Sequence, residues 1–381
     1  MKVLHVYRTY FPDPPGGIQE AVRQICLAIQ PLGVENTVFT LSPHPEPSEI
    51  QRPEARVVRC RSWAAPASCD LGDAASLKRF RRLAREADVI HYLFPWPFAD
   101  VLHQAACSRT PAALTYVSDI VRQRLLAALY APLMRQTLRQ MRVVVYNSPA
   151  YARTSPVLQD PAISDRLRLI PLGIDQHSYP AKGDERIFQR LGIRSQDPFF
   201  LFVGVLRYYK GLTNLLRAAG KVPAKIVIAG TGPEEGALQS GAAAIGASNV
   251  VFAGHVSDVE KVALLQRCRA LVLPSHRRSE AFGMVLVEAS MFGKAMICCE
   301  IGTGTSFVNV HGETGLVIAP DDLPALETAM NRLLQDASLA ARMGLAARRR
   351  YERYFSAAAL GRNYGALFKE MAGSKSSVMA S

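Results

Sequence analysis

The chain has 381 residues, of which 49% are hydrophobic and 20% are charged, so global disorder is excluded and two domains are expected rather than one. Its formal net charge of +13 at pH 7 predicts an anionic partner: nucleic acid, anionic lipid or a phosphorylated small molecule. The seven cysteines are scattered without any CxxC spacing, which favours reduced thiols in a cytosolic protein over a disulfide framework or a zinc site.

Short apolar runs alternate with helical patterns along the first half of the chain. A strand is predicted at Val3–Tyr7 and a helix at Glu20–Gln30, in which Val22, Ile25 and Ile29 share one face. Further strands are predicted at Thr37–Leu41, Val57–Cys60, Val89–Tyr92, Ala113–Tyr116, Val143–Asn147 and Leu167–Ile170. This alternation is typical of parallel βαβ units.

The same pattern restarts after a stretch rich in glycine and proline at residues 171–183. Strands are predicted at Phe199–Val203, Lys225–Ala229, Val250–Ala253, Ala270–Leu273 and Ala295–Cys298, and helices over Ala325–Met371. We therefore expect two Rossmann-like, doubly wound parallel-sheet α/β domains facing a cleft, at residues 1–178 and 179–354. A last helix at about residues 355–372 could pack back on the first domain, and the small, polar Gly373–Ser381 should be frayed.

In each domain, one glycine-containing loop follows the first predicted strand. Pro14-Pro15-Gly16-Gly17 opens the first helix, where free N–H groups attract anions, although a simple turn would also need glycine. In the second domain, Arg207 and Lys210 follow Gly204 in the loop after Phe199–Val203. Two cations there could neutralise a diphosphate leaving group, and the alternative is a solvated basic loop.

Two carboxylates flank the start of a predicted helix after the strand Ala270–Leu273. Glu280 lies in the loop, and Glu288 lies a little over one turn into the helix. Carboxylates accept paired hydroxyl hydrogen bonds, which suits recognition of a sugar and a ribose. The alternative leaves Glu280 to solvent and Glu288 to a buried salt bridge. The glycine-rich loops around Gly230 and Gly302 are weak signals on their own.

Basic residues concentrate in the first domain, at Lys78, Arg79, Arg81, Arg82 and Arg85 and again at Arg122, Arg124, Arg135, Arg139 and Arg142. No acidic residue occurs from 120 to 159, where the interleaved apolar residues are Val121, Leu125, Leu126, Leu129, Leu133, Met134 and Leu138. This composition fits a helix resting on an anionic membrane surface, or equally a helix with one core face and a solvated basic face. No nucleic-acid-binding motif is present, so nucleic acid is not expected as a partner.

Taken together, these segments resemble the retaining glycosyltransferases of the GT-B fold in sequence family 4, over nearly the whole chain. The resemblance rests on Gly16-Gly17, the stretch from Pro171 to Asp175, Gly204 with Arg207 and Lys210-Gly211, Gly254-His255-Val256, Glu280 with Glu288, and Asn309 to Leu316. Within the family, Ser118 to Gln123 and Glu300 to Asn309 are similar to bacterial O-antigen mannosyltransferases and D-rhamnosyltransferases.

The resemblance implies a role for each candidate residue. Arg207 and Lys210 would bind the donor diphosphate, and Glu280 would hold hydroxyls of the transferred sugar. The same loop's main-chain N–H groups would assist, at Phe282, Gly283 and Met284. Glu288 would bind the ribose, the backbone near Val256 would contact the base, and Gly17 would face the diphosphate from the first domain. Relatives often have a histidine beside the donor sugar, just before the position of Ser118 and Asp119, and Val117 stands there in this chain. Either Asp119 and neighbouring groups suffice for catalysis, or the activity is reduced or altered.

The implied reaction transfers a hexose, mannose or D-rhamnose, from a GDP-linked nucleotide-sugar donor with retention and without metal or cofactor, since no Asp-x-Asp site appears. The implied acceptor is a polyprenyl-diphosphate-linked glycan of lipopolysaccharide biosynthesis, and domain closure would complete the site. No apolar run reaches the length of a membrane span, so we expect a cytoplasmic protein, peripheral on the inner face of the membrane. Two alternatives remain: a nucleotide-sugar epimerase of the same fold, and a non-catalytic membrane-associated scaffold.

Overall fold

The computed structural model describes residues 1–13, 16–66, 69–120 and 124–379, which form two compact units. Unit 1 comprises Met1–Gly173 together with Ala357–Ser381, and unit 2 comprises Ile174–Ser356. The boundary therefore precedes the predicted position after residue 178. Ile174 belongs to unit 2 because its N–H donates to the Phe355 carbonyl at 2.8 Å and it forms a β-bridge with Ser356.

Unit 1 is built on one eight-stranded sheet. Its strands are β1 (Lys2–Val6), β2 (Glu35–Ser42), β3 (Glu49–Gln51), β4 (Arg56–Arg61), β5 (Val89–Phe94), β6 (Ala112–Tyr116), β7 (Val143–Tyr146) and β8 (Leu167–Leu169). The order is β3-β4-β2-β1-β5-β6-β7-β8, and all neighbours are parallel except β3 and β4. The helices between them are α1 (Gly17–Ile29), α2 (Ala74–Glu86), α3 (Pro97–Ala106), α4 (Arg124–Gln140) and α5 (Pro149–Thr154).

Unit 2 contains a six-stranded, fully parallel sheet. Its strands are β9 (Phe199–Val203), β10 (Lys225–Ala229), β11 (Val250–Gly254), β12 (Ala270–Leu273), β13 (Ala295–Cys299) and β14 (Gly315–Ile318), in the order β11-β10-β9-β12-β13-β14. Its helices are α6 (Arg186–Arg190), α7 (Leu212–Ala219), α8 (Glu235–Ala244), α9 (Asp258–Arg267), α10 (Met284–Met291), α11 (Thr305–Val308), α12 (Leu323–Gln335) and α13 (Ala337–Tyr354). The prediction of two doubly wound parallel sheets is thus confirmed, with β3 as an antiparallel edge strand.

The last helix, α14 (Ala357–Met379), returns to unit 1. Leu360, Tyr364 and Leu367 enter the same buried cluster as Val3 and Ile25. Helices α14 and α1 approach closely at Gly361, where a Cβ would lie 2.5 Å from the Ala28 carbonyl oxygen. The helix extends to Met379 although Gly373–Ser381 was expected to fray; residues 380–381 lie outside the described part. No helix in the described ranges is long and apolar enough to cross a membrane.

Candidate functional site

The charged loops of unit 2 follow two neighbouring strands at the point where the strand order reverses. Chain order runs from β9 through β10 to β11 on one side, and from β12 through β13 to β14 on the other. In open α/β sheets, ligands bind in the crevice beyond the carboxyl ends of the strands at such a switch point. Arg207 and Lys210 follow β9, and Glu280 follows β12, so the fold places these sequence candidates at that crevice.

Backbone contacts hold the two loops together. Gly211 has a left-handed conformation with φ of 68°, and a Cβ there would lie 2.0 Å from the Pro274 carbonyl oxygen. The His276 N–H donates to the Tyr209 carbonyl at 3.1 Å. A residue with a side chain at position 211 would separate the loops, which explains why glycine follows the candidate lysine.

Lys210 and Glu280 form a buried ion pair between the loops. Lys210 Nζ lies 2.5 Å from Glu280 Oε2, and each side chain is only 11% exposed. The Ser275 hydroxyl donates to the same oxygen at 3.3 Å. Burial alone would lower the pKa of Lys210, but attraction to Glu280 and Tyr209 holds that pKa above its ordinary value, so the ammonium stays charged.

Glu280 and the neighbouring Arg207 have hydrogen-bonding capacity that no described residue uses. Glu280 Oε1 has no hydrogen-bond partner within the described ranges, so it can accept a bond from a ligand hydroxyl. Arg207 is exposed, and its guanidinium makes no hydrogen bond or ion pair to any described residue. An incoming anion would therefore meet one fixed cation, Lys210, and one that is free to turn towards it.

The Glu280 loop ends at the start of α10. Gly283 caps this helix with φ of 82°, and Met284 is its first residue. The first N–H groups of a helix have no intrahelical acceptor and point towards its N-terminal side. Phe282 is buried beneath the glycine-rich loop after β13: the Gly304 N–H donates to the Ala281 carbonyl at 2.9 Å, and a Cβ on Gly304 would lie 2.4 Å from the Phe282 ring.

Glu288 is held in a largely buried polar contact one turn further along α10. Its Oε1 accepts hydrogen bonds from Lys261 Nζ at 3.2 Å and from the Tyr179 hydroxyl, while its side chain is 13% exposed. Burial lowers the pKa of Lys261, but attraction to Glu288 and Asp258 raises that pKa by more, so it lies above its ordinary value. The salt bridge considered from the sequence is therefore present, and Oε2 keeps no hydrogen-bond partner among the described residues.

The loop and helix after the edge strand β11 carry two residues of this region, Val256 and Lys261. Val256 follows β11, and the next residue, Ser257, begins α9 with a capping box that includes Glu260. Lys261 then lies within the first turns of α9. Sequence reasoning missed Lys261 and Tyr179 as neighbours of Glu288, because they lie 27 and 109 residues away and only the fold brings them together.

In unit 1, the predicted glycines begin the first helix. Gly16 is the N-terminal cap of α1 and Gly17 its first residue, directly after the loop that follows β1. A Cβ on Gly17 would meet no atom of a described residue within 4 Å. Pro14 and Pro15 of the same motif lie outside the described residues.

Asp119 follows β6 and is fixed by hydroxyl groups. Its Oδ1 accepts from Tyr116 at 2.9 Å and from Ser155 at 2.6 Å, and its N–H donates to the Tyr151 hydroxyl at 2.6 Å. The residue lines a cavity of about 710 Å³ in unit 1. Val117, just before the motif from Ser118 to Gln123, is buried. The last three residues of that motif, Val121, Arg122 and Gln123, lie outside the described ranges.

The two halves of the chain match known families. Residues 183–350 match the glycosyl transferases group 1, and residues 16–173 match the glycosyl transferase 4-like domain. The chain is 44% identical over 360 residues to the D-rhamnosyltransferase WbpZ of Pseudomonas aeruginosa, covering 94% of this chain and 93% of that protein. It is 41% identical over 357 residues to the O-antigen chain mannosyltransferase C of Escherichia coli, covering 94% and 95%.

A solved structure supports the fold. Sucrose-phosphate synthase from Thermosynechococcus elongatus superimposes with a TM-score of 0.79 at 22% identity, covering 98% of this chain and 99% of that one. At this identity the likeness concerns architecture alone. The two relatives above are 44% and 41% identical over nearly the full chain, so they show the family. The chain belongs to the group 1 glycosyltransferases of the GT-B fold.

Proposed function

We propose that this glycosyltransferase transfers mannose or D-rhamnose from a GDP-sugar, with retention, to a polyprenyl-diphosphate-linked O-antigen glycan. The observation that carries the proposal is the buried Lys210–Glu280 pair at the switch point of the unit 2 sheet. It presents a fixed cation and a free carboxylate oxygen side by side, which is what a sugar joined to a diphosphate requires. The sugar and pathway come from the names of the two full-length relatives.

The donor would lie along the carboxyl edge of the unit 2 sheet. Lys210 and Arg207 would bind the diphosphate and stabilise the charge that develops as it leaves. Glu280 Oε1 would accept a hydrogen bond from a hydroxyl of the sugar. The main-chain N–H groups from Phe282 to Met284 would donate hydrogen bonds to the sugar.

The nucleoside would lie further along the same edge. Glu288 would use its remaining oxygen for the ribose, and the backbone at Val256 would contact the base. In unit 1, the backbone N–H groups at the start of α1, at Gly16 and Gly17, would donate to phosphate oxygens. Asp119, held by its hydroxyl partners, would contact the transferred sugar.

The proposed chemistry needs no covalent intermediate and no metal. The bond between the anomeric carbon and the diphosphate oxygen breaks, and the acceptor oxygen bonds to the same face of that carbon. The acceptor proton passes to the departing phosphate oxygen, so charge and atoms balance. Because the leaving group carries the growing charge, Lys210 and Arg207 contribute most of the transition-state stabilisation.

The lipid-linked acceptor would be reached from the inner face of the cytoplasmic membrane. Leu126 and Leu129 on α4 are 55% and 81% exposed, and Arg135 and Arg139 are exposed further along the same helix. Met134 and Leu138 are buried, so the apolar residues of this helix divide between a core side and an outer side. A helix that exposes both leucines and arginines favours contact with anionic lipid over a purely solvated face.

The proposal is tested with a panel of GDP- and UDP-sugars. The true donor at 100 times its Kd should stabilise the protein by about 2.7 kcal/mol, which raises Tm by about 5–10 °C. Transfer is then measured with that donor and a synthetic polyprenyl-diphosphate glycan, and the anomeric configuration of the product is determined. Conversion of the donor without any acceptor would identify an epimerase instead, and binding without conversion would identify a scaffold.

A further inference from the structure

A basic groove lies on unit 2, away from the candidate donor loops. It has a volume of about 740 Å³ and is lined by the turns that lead into β12 and β13 and by one side of α13. Residues at the starts of strands, such as Ala295, line it, whereas the donor candidates follow the strand ends. The groove is therefore at the opposite edge of the same sheet.

The groove carries an excess of positive charge. Its cations are Arg267, Arg269, Lys294 and Arg348. The side chains of Arg269 and Lys294 make no hydrogen bond or ion pair with any residue in the described part of the chain. Asp197, which supplies the carboxylate among the lining residues, is already paired with Arg194 at 3.2 Å. The groove thus keeps two partly exposed cations without a counter-charge.

The exposed face of α13 continues this surface. Arg342, Leu345 and Arg349 are spaced by three and four residues, so they lie on one side of the helix. Leu345 is 57% exposed although it is apolar. Arg349 has no polar partner among the described residues, and Arg342 contacts only the Ser338 hydroxyl, at 3.0 Å.

The acidic residue on this face does not neutralise it. Glu352 is bound by Arg348 at 2.7 Å, and Arg348 also donates to the Gln176 side chain at 2.7 Å. Arg269 and Lys294 therefore line the same groove as the exposed, apolar Leu345, and Arg349 lies one helical turn beyond it. A solvated basic face would not need the exposed leucine, whereas a phospholipid surface accepts both parts.

We infer that the basic groove and the outer face of α13 form a second membrane-contact surface, specific for anionic phospholipid headgroups. Arginines and lysines would bind the phosphates, and Leu345 would enter the boundary between headgroups and acyl chains. This surface is separate from α4, and its binding does not depend on the transfer reaction. It would hold unit 2 at the membrane independently of the lipid-linked acceptor.

The test uses vesicle flotation with the full-length protein. Vesicles of phosphatidylcholine alone are compared with vesicles that also contain a quarter of phosphatidylglycerol. Removal of two surface cations in Arg342→Gln/Arg349→Gln should weaken binding to the anionic vesicles by about 30-fold. The matched control, Arg362→Gln/Lys369→Gln, removes two exposed cations with the same seven-residue spacing from α14 of unit 1 and should bind like the wild type.

A second set of variants distinguishes the contribution of this surface to vesicle binding from that of α4. With Arg135→Gln/Arg139→Gln in place, residual binding to anionic vesicles should persist, and the Arg342/Arg349 changes should then abolish it. Leu345→Ser should weaken binding without changing its salt dependence. Transfer to a soluble acceptor and Tm should stay at wild-type values, so a failure of the proposed function would be seen separately.

Three results would overturn the inference. The Arg342/Arg349 variant could bind vesicles as well as its control does. The wild type could bind neutral and anionic vesicles equally. Inorganic phosphate at low millimolar concentration could displace the protein fully while sodium chloride of equal ionic strength does not, which would indicate a small-anion site instead of a lipid surface.

Discussion

Replacement of Lys210 by methionine removes a buried charge while keeping most of the side-chain volume. Lys210 is 9% exposed, and its ammonium lies 2.5 Å from Glu280. The change leaves Glu280 buried with only the Ser275 hydroxyl, and breaking one side of a buried pair costs about 3–5 kcal/mol. For a unit of this size, Tm should fall by about 6–20 °C. If Lys210 also stabilises the leaving diphosphate, turnover should fall at least ~100-fold.

Two companion variants separate stability from catalysis. Lys210→Met/Glu280→Gln removes both charges, so most of the lost Tm should return while turnover stays low. Arg207→Ala changes an exposed side chain without a partner among the described residues, so Tm should hold within about 1–2 °C. Its turnover should nevertheless drop at least ~100-fold.

Calorimetry and single-turnover transfer assays on the three purified proteins supply the comparison. The reasoning would be refuted if turnover in Lys210→Met/Glu280→Gln recovered in step with Tm, because Lys210 would then act only through folding. Near-normal turnover in Arg207→Ala would remove that residue from the proposed site.

Three further outcomes are expected. Gly211→Ala forces a left-handed residue against a carbonyl and should cost at least about 1–3 kcal/mol, whereas Gly220→Ala, with ordinary φ and open space, should leave Tm unchanged. Burial lowers the pKa of His5 from 6.5 to about 4, so the unfolded chain binds more protons between these values. The contribution of His5 to stability should fall by up to about 1.4 kcal/mol per pH unit as pH drops from 6.5 to 4, and His5→Leu should reduce the slope in acid denaturation by that amount. Tyr364→Phe loses the 2.9 Å bond to the Thr115 hydroxyl and should lower stability by about 0.5–1.5 kcal/mol in calorimetry.

Most of the sheet strands could be predicted because each is a short, apolar run between breaks. Phe199–Val203 and Ala270–Leu273 form strands with the predicted bounds. Two strands were missed. Glu49–Gln51 is short, polar and at the antiparallel edge, and Gly315–Ile318 begins with glycine, so neither has the expected pattern. In both, pairing with a neighbouring strand decides the conformation more than local preference does.

The site could be predicted in part. Strand ends indicated that Lys210 and Glu280 would lie at one edge of the sheet, because parallel strands bring their carboxyl ends together. Their direct pairing could not be read from the chain, since 70 residues separate them and the approach depends on Gly211 against Pro274. The contact of Lys261 with Glu288 depends in the same way on the fold, which brings a side chain of α9 to one of α10 across 27 residues of sequence.

The return of α14 to unit 1 has a consequence for how the chain acquires its structure on the ribosome. The cluster that contains Leu360, Tyr364 and Phe368 also contains Val3 and Ile25, so residues from the first and last parts of the chain are both needed to close it. Unit 2 is one uninterrupted segment and emerges in full before α14 does. Unit 1, whose first strands are made earliest, is therefore completed after unit 2, and its apolar surface stays open to chaperones until α14 has emerged.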